Sequence, residues 1–106
     1  MDISVIVPLL NEKESLPELE SRIRAVMKDN GFSYEVIMVD DGSDDGSWEE
    51  ILRLASQNPA IHGIRFRRNY GKSAALYCAF EKAQGEVVFT MDADLQDFPE
   101  EIPQMY

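Results

Sequence analysis

The sequence predicts an α/β domain, a mostly parallel sheet of about four strands with helices on both faces. Three observations carry that expectation. The runs "ISVIVPL", "YEVIMVD", "IHGIRF" and "EVVFTMD" are short, apolar and rich in Val and Ile, the character of strands buried on both faces. Between them lie segments with apolar residues at helical spacing, and such alternation calls for parallel strands joined by right-handed crossovers. The least ordinary polar residues all follow the carboxyl end of a strand, the rim on which such sheets bind ligands.

The first strand is expected over residues 3–9, with Pro8 ending it. A helix follows. Leu16, Leu19, Ile23, Val26 and Met27 share one helical face, Ser15 and Glu18 have capping-box spacing, and Gly31 stops the segment. An alternative start has Asn11 as the cap with Glu14 reaching back. The second strand is residues 34–40, and the glycine-rich "DGSDDGS" leads into a helix with Trp48, Ile51, Leu52 and Ala55 as its apolar stripe.

The third strand is residues 61–66, and helix formers fill the stretch from Gly71 to Gly85. The fourth strand is "EVVFTMD". After it, Asp97, Pro99 and Glu100 have the pattern of an N-cap, an N1 proline and a first-turn acid.

The 106 residues suffice for one domain with a single core. Ten basic residues against twenty acidic ones give a formal charge of -10, which argues against nucleic acid or an anionic lipid surface as a partner of the chain as a whole. An anionic ligand must therefore be met locally, by a metal, backbone amides or a few placed cations. Single Cys78 and His62 residues exclude an internal disulfide and a thiolate or histidine metal cluster, and Cys78 reads as a small core residue. The amino-terminal apolar run is too short for a signal peptide or a membrane span, so a cytoplasmic location is expected.

The rim segments offer specific chemistry. In "DADLQD", Asp92 and Asp94 are separated by one small residue and on an extended segment would point to the same side. Such a pair suits a hard divalent cation, held through oxygen at about 2.0–2.6 Å with sites left for phosphate and water. The plainer alternative is that both aspartates terminate a strand and accept backbone amides. Asp40 and Asp41 stand where a carboxylate can accept a base N–H or a ribose hydroxyl, while Asp44, Asp45 and Ser47 read as caps of the next helix.

Pro8 and Leu10 could border a flat base with Glu12 accepting a hydroxyl, although helix initiation at Asn11 explains much of that segment. Arg65, Arg67, Arg68 and Lys72 form the strongest basic cluster, beside a glycine and a helix start that suit phosphate. Arg65 has an equally good reading as a solvent-facing edge residue.

Taken in order, "VIVPLLNE", "VDDGSDDGS", "RNYGKSAAL" and "DADLQDFPE" resemble the family 2 glycosyltransferases of GT-A fold, particularly the branch that loads sugars onto dolichyl or undecaprenyl phosphate. The resemblance runs over essentially the whole chain, and "DADLQ" with the following Pro-Glu is its most specific part. It implies a Rossmann-like GT-A nucleotide-binding half that holds a UDP- or GDP-sugar, with Mg2+ or Mn2+ bridging protein and diphosphate. By position, Asp94 would be the main metal ligand, Asp92 would contact ribose or metal, and Gln96 would be a further ligand. Asp40 would read the base, flanked by Pro8, Leu10, Glu12 and Asp41, with Lys72 near the donor.

The same resemblance implies direct displacement with inversion, onto a polyprenyl phosphate or a saccharide. It makes residues 1–106 the nucleotide-sugar-binding part of a domain about twice as long. The acceptor site, any general base and membrane-associated helices are then expected beyond residue 106, at the cytoplasmic face of a membrane. Such a part would bind donor without turnover, and its open sheet edge would favour homo-oligomers.

Two other readings compete. "VVFTMDADL" has a local likeness to the aspartyl nucleophile motif of haloacid-dehalogenase-like phosphatases, which usually carry Thr or Val where Leu95 stands. A non-catalytic nucleotide-binding module is the second. Neither G-x-G-x-x-G nor G-x-x-x-x-G-K occurs, so dinucleotide and P-loop readings fall away.

Overall fold

The computed structural model describes residues 1–106. Strands β1 (Ile3–Leu9), β2 (Tyr34–Asp40), β3 (Ile61–Arg65) and β4 (Val87–Thr90) alternate with helices α1 (Leu16–Asn30), α2 (Ser47–Gln57) and α3 (Lys72–Lys82). A 3-10 turn, Pro99–Glu101, leads into the short α4, Ile102–Met105. All strand pairs are parallel, in the order β3-β2-β1-β4. The expected sheet forms. Its order reverses between β1 and β4, because the first three strands step outward and the fourth returns to the other side of β1.

Alternation along the strands divides the core in two. Ile3, Val5, Val7, Val36 and Met38 face α1, α2 and Ile102 of α4, whereas Ile6, Ile37 and Val39 face Ala75 and Ala79 of α3. The small alanines let α3 lie close on the sheet. Cys78, expected in the core, is only half-buried on that helix. No helix is long and apolar enough to cross a membrane.

Three local expectations are corrected. On α1 the five predicted residues are buried and Gly31 ends the helix at φ 67°, but no capping box forms. Ser15 is itself helical, so its hydroxyl misses the first-turn amides and donates instead to the carbonyl of Ala93, at 2.6 Å. On α2 the buried residues are Ser47, Ile51 and Leu54, while Leu52 is 52% exposed. The Ser47 hydroxyl is drawn inward, accepting the Glu12 amide and donating to Asp45. Asp45 also accepts the Ser47 amide, so it does serve this helix start.

Asp97 is the third. Phe98, ahead of Pro99, is held extended and takes the cap position, which leaves the Asp97 carboxylate to accept the amide of Asp92 at 2.8 Å.

Pro8 does not end β1. The Ile6 carbonyl receives the Met91 amide and the Leu9 carbonyl receives the Asp41 amide, so residues 6 and 8 address the β4 side. By the level of Pro8, β4 has already ended at Thr90, which pairs with Ile6. The missing N–H of Pro8 therefore faces a gap and costs no ladder bond.

At the opposite, amino-terminal edge of the sheet lies a buried polar knot. Glu35, 4% exposed, accepts the Ser4 hydroxyl at 2.6 Å and the Gln84 amide at 2.7 Å, and Ser4 Oγ accepts the Gly85 amide. A Cβ on Gly85 would stand 2.4 Å from the Ser4 nitrogen, so the chain enters β4 against the backbone of β1.

Candidate functional site

The gap beside Pro8 is the crevice that the strand order demands. It comprises two hollows of about 290 and 220 Å³ that share Pro8 and Lys72. The first is lined further by Leu9, Leu10, Asp41, Asn69 and Gly71, the second by Thr90, Met91, Asp92 and Asp97. All four loops that border it follow strand carboxyl ends, as expected for a ligand site in an open α/β sheet.

The aspartates of β2 divide their labour. Asp40 is fully buried; its Oδ1 accepts the Ser43 amide at 2.8 Å and its Oδ2 has no partner. A buried carboxylate oxygen without a donor is costly, and a ligand N–H or O–H would satisfy it. Asp41 is 6% exposed and spends both oxygens on the loop after β3, accepting the amides of Tyr70 at 2.7 Å and Gly71 at 3.0 Å. It anchors the segment that delivers Lys72.

The loop after β4 departs from the extended geometry expected of it. The chain turns at Ala93 and Asp94, and Leu95 takes a left-handed conformation at φ 67°. Ala93 is buried, and Asp94, exposed at the tip, accepts the Gln96 amide at 3.2 Å. Asp92 and Asp94 thus sit on a turn instead of side by side on a strand. Three contacts hold this turn: Ser15 to Ala93, Asp97 to the Asp92 amide, and the ammonium of Lys72 to Asp92 Oδ1 at 2.7 Å.

The last contact supplies a cation that is not apparent locally in the sequence. Its hydrogen bond to Asp92 holds Lys72 above the ordinary lysine value, with the charges of Asp92, Asp97 and Asp94 adding to the shift. The negative field of the loop therefore converges on this ammonium.

Of the other predicted site residues, Leu10 lines the crevice, whereas Glu12 lines a separate hollow with Asn11 and Ser15. Leu10 is 42% exposed at the lip, and Glu12 is half-buried with its Oε2 2.9 Å from the Ser15 hydroxyl. Gln96 is exposed. Arg65 and Arg68 lie over the rings of Trp48 and Tyr70, at 5.7 and 5.1 Å from the centroids. Ser15 and Asp97 are structural members of the site that sequence reasoning missed. A hydroxyl one turn from Glu12 was the available signal for Ser15; for Asp97 it was the extended residue that proline imposes.

No three His, Cys, Asp or Glu side chains converge as a metal cage. The donor set nonetheless suits a hard divalent cation in part. Asp92 offers carboxylate oxygens in the crevice, where a positive group already rests on one of them, and Asp94 stands exposed on the adjoining turn. Ligand oxygens and water would have to complete the shell.

The sequence pattern described as Glycosyl transferase family 2 matches residues 4–106. The chain belongs to this family. Membership decides against the dehalogenase-like reading. The chain is 47% identical over 104 residues to an undecaprenyl-phosphate 4-deoxy-4-formamido-L-arabinose transferase of Aeromonas hydrophila subsp. hydrophila, covering 97% of this family 2 chain and 32% of that protein. With the enzyme of the same name from Pseudomonas fluorescens it is 44% identical, covering 97% and 30%. It thus spans about a third of the length of these curated relatives.

Among solved structures, the mannosyltransferase PcManGT from Pyrobaculum calidifontis, in complex with GDP-Man and Mn2+, superposes with a TM-score of 0.76 at 32% identity, over 87% of this chain and 27% of that one. S. aureus TarS superposes at 0.79 with 27% identity, over 99% and 19%. The 1–349 form of TarS in complex with UDP-GlcNAc gives 0.72 at 26% identity, over 99% and 30%. These GT-A neighbours share the α/β architecture described above.

Proposed function

We propose that residues 1–106 form the nucleotide-sugar-binding part of a metal-dependent glycosyltransferase that passes a sugar from a UDP- or GDP-sugar to a polyprenyl phosphate, with inversion. The observation that carries this reading is the crevice beside Pro8, where Asp92 and Lys72 meet in a family 2 chain. Relatives that use undecaprenyl phosphate favour the lipid acceptor, and a neighbour with GDP-Man and Mn2+ favours the donor class and the metal. A lipid acceptor places the reaction at a membrane surface.

In this reading Pro8 and Leu10 border the base, the unpartnered Oδ2 of Asp40 accepts its N–H, and Asp41 holds the Lys72 segment in place. Glu12 takes a hydroxyl or steadies Ser15. Asp94 and Asp92 would hold Mg2+ or Mn2+, with Gln96 beside them. Such a cation, when bound, offsets the charge that develops on the departing nucleotide diphosphate.

The protein's own contribution is positional. The turn at Ala93, tied from three sides, aims its carboxylates at the diphosphate, so that the anomeric carbon faces the acceptor. A phosphate acceptor is already ionised and needs little help from a base. Acceptor contacts belong to parts of the transferase outside these residues. The outer edge of β4 is unpaired, and self-association through it is part of the proposal.

Calorimetry of this chain with UDP and with GDP, each with and without Mn2+, tests the reading. Binding is expected to require metal, and Asp94→Ala to weaken it at least tenfold, about 1.4 kcal/mol. Equal affinity without metal would remove the metal assignment.

A further inference from the structure

The geometry points to Lys72 as a competitor for the divalent cation, one that yields Asp92 when metal and nucleotide diphosphate bind together and then takes up the diphosphate. This inference rests on the donor-site reading above. The ammonium is 2.7 Å from Asp92 Oδ1, so a metal on that carboxylate would lie against the lysine's charge. Repulsion between the two cations disfavours joint occupancy.

Exchange is feasible because the pair is open to solvent. The two side chains are 61% and 47% exposed, and ion pairs of that kind contribute little net stability. A divalent ion brings twice the charge and closer contact with a hard oxygen. Lys72 is also the first residue of the eleven-residue α3, and it lines both hollows of the crevice. On release it remains beside a helix amino terminus, where phosphate oxygens are favoured. One side chain thus opposes the metal alone and assists the metal with its anion.

Opposite signs in two measurements follow. In Mn2+ titrations read by electron paramagnetic resonance, without nucleotide, Lys72→Met should bind the ion about three- to fivefold more tightly than the unchanged chain, the range set by loss of an exposed ion pair. At saturating Mn2+, calorimetry should show UDP or GDP binding to the same variant about tenfold more weakly, for loss of a charged phosphate contact. Lys72→Arg should restore the nucleotide affinity. A site that was merely disordered by the change would lose both affinities together, and an unchanged thermal midpoint is expected for so exposed a residue.

The two readings fail differently. If Mn2+ binding is absent, or is indifferent to Asp94→Ala, the donor-site reading falls and takes this one with it. Should Asp94→Ala weaken Mn2+ while Lys72→Met leaves it unchanged or weaker, exchange alone is overturned. Nucleotide affinity unaffected by Lys72→Met would equally overturn it.

Discussion

Gly42→Ala is expected to destabilise the domain by about 3 kcal/mol, combining left-handed strain with overpacking. Gly42 has φ 89°, and a Cβ there would lie 2.6 Å from the Arg68 carbonyl carbon and 2.8 Å from the Asn69 nitrogen. Backbone on backbone offers no flexible atom to give way. Gly31→Ala provides the comparison: φ is 67° with nothing within 4 Å, so strain alone should cost about 1 kcal/mol. Urea unfolding of the two variants measures the difference. Equal losses would mean that the loops after β2 and β3 are not in tight contact.

Asp41→Ala should cost a comparable amount, about 2–3 kcal/mol, because a nearly buried carboxylate gives up two amide hydrogen bonds. Its second effect is on binding. Tyr70 and Gly71 immediately precede α3, so releasing them frees the segment that sets the position of Lys72. Nucleotide affinity should fall with stability in Asp41→Ala. Asp44→Ala, an exposed change in the same loop, should leave both near their starting values. Calorimetry and urea unfolding on the same samples check this, and full nucleotide affinity in Asp41→Ala would contradict the anchoring role.

The strands were legible in the sequence because burial on both faces leaves an apolar run that needs no partner to be recognised. The rim was legible for the same reason: once the strands are placed, "VDD" and "MDADLQD" must stand at their ends. Helix starts were less readable. Ser15 and Asp97 have the right chemistry for caps, but each has a tertiary partner, Ala93 and the Asp92 amide respectively, that local spacing does not reveal.

On α2, Ile51 is buried and Trp48 and Ala55 pack against the core as the stripe requires, but Leu52 is exposed and the place of Ser47, a buried polar residue with its hydroxyl bonded, is one that no apolar pattern marks. The Lys72–Asp92 contact spans twenty residues. It exists only because the crossover returns β4 to the side of β1, bringing the start of α3 to its end. Electrostatic matching of this kind belongs to topology, and local composition could not disclose it.

The knot of Glu35, Ser4 and the Gln84 and Gly85 amides bears on how a loop can be placed from a distance. A parallel pair has no hairpin to index it, and a slip of one residue would turn every side chain of β4 to the other face. The knot clasps the chain at the entrance to β4, where Ile3 is matched with Val87. The rest of the strand is then counted off at fixed spacing down to Thr90, from which the loop that carries Asp92 departs. The distant amino edge acts as the origin of a ruler, and the carboxylates of the crevice are read off its scale.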